Sequence, residues 1–179
     1  GLVGESGAGK SMMGTAITGL IEPPLAITAG EVRYRGRRID DLPPAGLRAL
    51  RGRHIATIFQ DPLTALNPVF SVERQLVETI EAHTPLRGAA AREEAVGLLA
   101  RVGIPAPERR LKSFPHEFSG GMRQRVVIAM ALAGRPDLII ADEPTTALDV
   151  TVQAQIIELL RDLCSERGMA VILVTHDMG

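Results

Sequence analysis

Gly4-Glu5-Ser6-Gly7-Ala8-Gly9-Lys10-Ser11 is the stretch whose reading decides the fold. It satisfies G-x-x-x-x-G-K-[ST], a pattern with a physical reason at each fixed place. Gly4, Gly7 and Gly9 let backbone N–H groups turn inward and approach phosphate oxygens with no Cβ in the way. A helix opening near Lys10 adds the positive end of its dipole. Lys10 is then set to reach the β- and γ-phosphates of a nucleotide such as ATP, and Ser11 to ligate Mg²⁺. A phosphate loop also needs a strand before it, and only Gly1–Val3 is available for one. At the far end, Met169–Val174 reads as a buried strand with five residues after it. The expectation is therefore a segment of a longer polypeptide, truncated at both ends.

Outward from the loop, Lys10–Leu20 reads as a helix stopped by Pro23-Pro24. Strand patterns follow at Glu31–Arg35, with Val32 and Tyr34 on one face, and at Ile55–Phe59. Asp41–Arg51 holds at most a short helix, and Asp61–Pro68 reads as a loop with two prolines. From Ser71 to about Val102 the period becomes helical, and Ile104–Phe118 is loop-rich. Gly121–Ala133 reads as a helix with Met122, Val126, Ala129 and Met130 as its apolar stripe. Leu138–Ala141 is a strand, and Thr151–Arg167 an amphipathic helix facing inward through Val152, Ile156, Leu159, Leu160 and Leu163. Strands separated by helices argue an α/β fold with a parallel sheet. The helical stretch near 71–133 interrupts that alternation and marks a subdomain.

Composition narrows the function. The 179 residues carry 20 Lys+Arg against 21 Asp+Glu, a formal charge of −1. That balance holds no basic arm for nucleic acid and no polybasic membrane patch. Apolar residues make up 45%, a globular composition. Cys164 is the single cysteine, so no intrachain disulfide forms and a reducing compartment fits. Runs such as Val126–Ala133 fall far short of the roughly 20 apolar residues that span a bilayer.

Three further elements carry chemistry. Leu138–Ala141 runs into Asp142 and Glu143, and in a parallel sheet ligands sit at the carboxyl ends of strands. Asp142 can there hold Mg²⁺ directly or through water, and Glu143 can accept a proton from an attacking water. Gln60, at the end of another strand, offers a neutral amide to the same metal; taken alone it is an ordinary surface residue. His176 ends a third strand and can bond a γ-phosphate or the attacking water. Ser119-Gly120-Gly121 caps and bares a second helix start, which is either a plain cap or a second anion site. One chain has no need of two such sites for one nucleotide, which points to a dimer in which each chain covers the other's ATP.

With these residues in hand the chain resembles the ATP-binding cassette (ABC) ATPases over essentially its whole length. The order matches: phosphate loop (Gly4–Ser11), Q-loop (Gln60), signature (Phe118–Met122), Walker B (Leu138–Glu143), D-loop (Thr146-Ala147-Leu148-Asp149) and H-loop (His176). Gly4-Glu5-Ser6-Gly7, Phe59-Gln60-Asp61-Pro62 with Asn67-Pro68, Phe114-Pro115-His116-Glu117, Gly121-Met122-Arg123-Gln124-Arg125 and Ala147-Leu148-Asp149-Val150-Thr151-Val152-Gln153-Ala154-Gln155 are similar in wording to the dipeptide, oligopeptide and nickel importer ATPases. The signature departs from the commonest form, with Phe118 for Leu and Met122 for Gln.

The resemblance implies a P-loop NTPase fold with a RecA-like parallel core (1–60 and 136–179) and an inserted helical signature subdomain (about 61–135). It implies an ATP hydrolase using Mg²⁺, with Glu143, His176 and Gln60 catalytic and Ser11, Gln60 and Asp142 around the metal. Gly4, Gly7, Gly9, Lys10 and Ser11 bind nucleotide, joined by Ser119, Gly120 and Gly121 from a partner. It implies a head-to-tail pair with the same or a different ATPase subunit, two transmembrane permease subunits and an extracytoplasmic solute-binding protein. The place is the cytoplasmic face of the cell membrane, and the work is peptide import. Nickel or another solute as cargo, and a non-transport ATPase of the same family, stay open at this point. Open sheet edges imply that the isolated segment is a weak or inactive ATPase.

Overall fold

A computed structural model describes residues 1–5, 7–145 and 148–175, with Arg167 described in its backbone only. His176, Ser6, and the Thr146-Ala147 half of the D-loop lie outside the described residues. In chain order the elements are β1 (Leu2–Val3), α1 (Lys10–Thr18), β2 (Arg33–Tyr34), β3 (Arg37–Arg38), α2 (Pro44–Leu50), β4 (Ile55–Ile58), α3 (Pro62–Ala65) and α4 (Val72–His83). Then come α5 (Gly88–Arg101), α6 (Pro107–Arg110), a 3₁₀ turn (Pro115–Glu117), α7 (Gly120–Leu132), β5 (Leu138–Asp142), α8 (Val150–Arg167) and β6 (Ala170–Thr175).

The main sheet runs β1-β6-β5-β4, all parallel. Its centre is apolar on both faces: Ile139, Ile140 and Ala141 are fully buried. Helices cover both faces of such a sheet, so its strands read as continuous apolar runs. Each fully buried isoleucine contributes about 1.5–3 kcal/mol relative to leaving it in water. The helix α1 lies against β5 at close range, where a Cβ on Gly14 would meet Ile140 Cγ2 at 3.3 Å.

Register sets the site. Ile58 pairs with Ala141, so two residues further along Gln60 comes level with Glu143. On the other side Asp142 pairs with Val174, and Val174 with Leu2. The phosphate loop therefore leaves β1 at the same end of the sheet as Asp142, with β6 lying between the two strands.

Several expected elements differ in extent. Strand β2 is only Arg33–Tyr34, because Arg35 and Gly36 both adopt left-handed φ (49° and 79°) and turn the chain into β3. The Asp61–Pro68 stretch contains a one-turn helix, opened by Asp61 accepting from Leu63 N at 2.8 Å. Phe59 falls outside β4 and is exposed. Helix α7 has no single apolar stripe. Gln124, Val126, Val127, Ile128, Ala129, Ala131 and Leu132 are all buried, since β4, α4 and α5 contact it from different sides.

Candidate nucleotide site

The phosphate loop turns on two glycines. Gly7 and Gly9 have φ of 83° and 84°, a conformation that disfavours any side chain. A Cβ built on either meets nothing within 4 Å, so both face open space. Gly9 is the N-cap of α1 and accepts from Met13 N at 3.2 Å. Lys10 is buried, at 8% exposure, and its Nζ donates to the carbonyls of Gly4 and Glu5, both at 2.8 Å. The ammonium is therefore held over the loop by its own backbone. The Glu5 carbonyl has no mark in the sequence beyond its place inside the loop.

Opposite the loop stands the end of β5. Ser11 Oγ donates to Asp142 Oδ1 at 3.0 Å, linking residues 131 apart in the chain. Next to it Gln60 Nε2 donates to Glu143 Oε2 at 3.0 Å. Glu143 N donates to Val174 O at 2.9 Å, and Glu143 itself has φ 44°. A non-glycine residue in that region costs of order 1 kcal/mol or more, and such strain clusters at functional sites. Loop, hydroxyl, two carboxylates and amide thus meet at one end of the sheet.

This donor set fits a nucleotide-bound Mg²⁺. The ion takes hard oxygen ligands, needs only one or two carboxylates, and fills the remaining places with water and phosphate. Ser11 and Asp142 offer two such oxygens side by side. Among the described residues no cluster of three or more His, Cys, Asp or Glu offers an all-protein metal cage.

Ser119, Gly120 and Gly121 lie elsewhere. Ser119 Oγ accepts from Met122 N at 3.3 Å and caps α7. Among the described residues no hydrogen bond joins these three to the phosphate loop. A Cβ on Gly120 would lie 3.5 Å from Leu148 Cδ2, and one on Gly121 only 2.7 Å from Val152 Cγ1. The start of α7 is therefore packed on the start of α8, a neighbour that the sequence reading did not assign.

The profile of the ABC transporter family matches residues 1–146. The chain belongs to the ABC transporter family. It is 55% identical over 179 residues to the peptidoglycan transport ATP-binding protein YejF of Agrobacterium fabrum, covering 99% of this chain and 33% of that one. It is 52% identical to the oligopeptide transport ATP-binding protein OppD of Bacillus subtilis, and 51% to the dipeptide transport ATP-binding protein DppD of the same organism. Those two alignments cover 99% of this chain and 50% and 53% of the relatives. The chain thus spans a third to about half the length of the curated relatives it matches.

Among solved structures it resembles the ATP-binding cassette MJ0796, described as a dimeric post-hydrolysis state bound to ADP and Pi. That likeness has a TM-score of 0.83 and 35% identity over 99% of this chain and 74% of the other. It also resembles cbiO1 from Clostridium perfringens, part of the ABC transporter complex cbiONQ, with TM-score 0.83 and 30% identity over 98% and 66%. The fold is accordingly the α/β P-loop NTPase fold of ABC cassettes. Among the described residues no helix is long and apolar enough to cross a membrane.

Proposed function

We propose that this chain is the nucleotide-binding part of a subunit that hydrolyses ATP to power import of di- or oligopeptides. The observation that carries the reading is the Ser11 Oγ to Asp142 Oδ1 contact at 3.0 Å, beneath a loop whose Lys10 is already turned toward its centre. Peptide as cargo is supported by the names of OppD and DppD.

Lys10 Nζ gives up the Gly4 and Glu5 carbonyls and donates to the β- and γ-phosphate oxygens. The glycines Gly4, Gly7 and Gly9 bring backbone N–H groups around the phosphates. Ser11, Asp142 and Gln60 would hold Mg²⁺, which supplies neutralisation of the charge on the phosphate oxygens. Glu143 takes the proton of the attacking water at its carboxylate, and Gln60 keeps that carboxylate oriented. His176 steadies the transferred phosphoryl group. Phosphoryl transfer asks for positioning and charge stabilisation more than for covalent chemistry.

The core (1–60 and 136–179) and the helical subdomain (about 61–135) act as two parts. Ser119, Gly120 and Gly121 close over the nucleotide of a second cassette, head to tail, and the dimeric state described for the MJ0796 cassette supports that pairing. Two transmembrane subunits receive the motion, and a solute-binding protein outside the cytoplasm delivers cargo. The subunit sits on the cytoplasmic face of the membrane. Phe59, Leu63 and Val69, within ten residues of Gln60 in the chain, are exposed and support a permease contact in that segment.

Phosphate release from MgATP by the full-length subunit, assembled with its transmembrane partners, tests the reading. Release is expected, and Lys10→Ala is expected to abolish it with at least tenfold weaker nucleotide binding. No release by the wild type, or unchanged binding by the variant, contradicts it.

A further inference from the structure

We propose that Arg125 and Gln155 are positioning residues that hold the first turn of α7, and with it Ser119–Gly121, in register with the start of α8. Arg125 Nη1 donates to Val102 O at 2.7 Å, and its Nη2 donates to Gln155 Oε1 at 3.2 Å. One guanidinium thus joins three helices. Val102 is the C-cap of α5, whose last carbonyls have no partner within their own helix. The neighbouring residue leaves room for it: Gly103 has φ 75°, and a Cβ there would lie 2.9 Å from Arg125 Nη1.

Two more contacts lie along the same seam. Gly121 meets Val152 and Gly120 meets Leu148, as described above. Gly121 and Arg125 are four apart on α7, and Val152 and Gln155 three apart on α8, spacings that share one helix face, while Leu148 stands just before the Asp149 cap. The α7 start and the α8 start therefore touch at three successive levels.

The α8 side is tied in turn to the site. Gln153 Nε2 donates to Thr145 O at 3.2 Å and Leu148 O at 3.1 Å, and Asp149 caps α8 by accepting from Val152 N at 2.9 Å. Thr145 follows Glu143 by two residues. A shift at the strand end that carries Asp142 and Glu143 is thereby passed through α8 to Ser119–Gly121. This inference rests on the proposed function only in what Ser119–Gly121 are for; the register itself is a property of the single chain.

The pairing is specific to a planar fork. A guanidinium reaches two acceptors in fixed directions, whereas an ammonium is a point donor on a flexible stem. Gln155 is exposed, so its loss leaves no buried gap. A merely structural role predicts little from changing it.

The test is amide hydrogen exchange on the full-length subunit. The probes are the amides of Met122 and Arg123, both of which donate to Ser119. Gln155→Leu and Arg125→Lys are each expected to speed their exchange about tenfold. Exchange in α1 and the thermal midpoint should stay at wild-type values. Gln155→Glu, which keeps an acceptor for Nη2, is expected to restore protection to within about twofold. Unchanged exchange in both variants overturns the proposal, and so does an equal acceleration over the whole chain. Phosphate release measured in parallel separates the two readings. If the wild type releases none, the proposed function fails while the exchange result still decides the register.

Discussion

Gln60 Nε2 donates to Glu143 Oε2 at 3.0 Å across the carboxyl ends of two adjacent strands. The pair follows from register, since Ile58 opposite Ala141 brings both residues level. The amide fixes one oxygen of a carboxylate whose backbone is already held at φ 44°. Glu143→Gln keeps the shape and removes the proton acceptor. Turnover in the full-length subunit is expected to fall about 100-fold or more, with nucleotide affinity kept. Gln60→Ala leaves the acceptor but removes the amide that donates to its Oε2, and a smaller loss of about tenfold is expected. Steady-state phosphate release and a nucleotide titration check both, and normal turnover in Glu143→Gln would remove it as the base.

Leu63 and Val69 stand 59% and 70% exposed, near Phe59 at 46%. Phe59 also lines an apolar groove of about 290 Å³ with Ile55, Ala65, Val127 and Met130 among others. Leu63→Glu places a charge on this patch without touching Lys10, Ser11 or Asp142. Co-purification with the transmembrane subunits is expected to drop at least several-fold while ATP affinity stays within about twofold. Undiminished co-purification would move the permease contact elsewhere.

How much of this was legible beforehand differs by element. The phosphate loop, the acids Asp142 and Glu143 at the end of β5 and the Ser119 cap announce themselves, because each needs particular residue types at fixed local spacing. Sheet order does not: nothing in Ala170–Thr175 says that it lies between β1 and β5. The Met122–Met130 stripe does pack into the core, but periodicity reports one buried face and α7 is covered on several sides, Gln124 included. Arg35-Gly36 is a turn signal, and it ends β2 before the alternation of Glu31–Arg35 does. Arg125 reaches Val102 and Gln155 from 23 and 30 residues away, beyond any local pattern.

Gly134 packs against the chain at Gly52. A Cβ there would lie 1.8 Å from the Gly52 carbonyl oxygen and 2.7 Å from its carbon, both rigid backbone. Gly134→Ala therefore cannot be absorbed by a side-chain rotation. A loss of about 3 kcal/mol or more is expected, at the upper end of the range for overpacking. Urea unfolding of the full-length subunit measures it, and a midpoint equal to wild type would mean that this approach is not as close.

Asp137 immediately precedes β5, at the end opposite the nucleotide site. Its carboxylate accepts from Tyr34 Oη and from Arg35 Nη2 at 2.7 Å, and pairs with His54 Nδ1 at 2.9 Å. These bonds, that from Tyr34 foremost, hold its carboxyl below the ordinary carboxylate range. A depressed folded value means stability present above the unfolded pKa of about 4 and lost as pH falls through the folded one. Between pH 5 and 3 the wild type is expected to lose more stability than Asp137→Asn. Urea midpoints across that range provide the check, and parallel curves for the two proteins would contradict it.

The most direct measurement is uptake by cells carrying the full-length subunit or its Lys10→Ala variant, offered labelled dipeptide, longer peptide and Ni²⁺ in parallel. Lys10 is the buried ammonium on which the whole phosphate site depends. Entry of a peptide that stops in the variant, with Ni²⁺ entry unaffected, is the predicted result. Peptide entry that continues at the wild-type rate would contradict the claim that this chain powers peptide import.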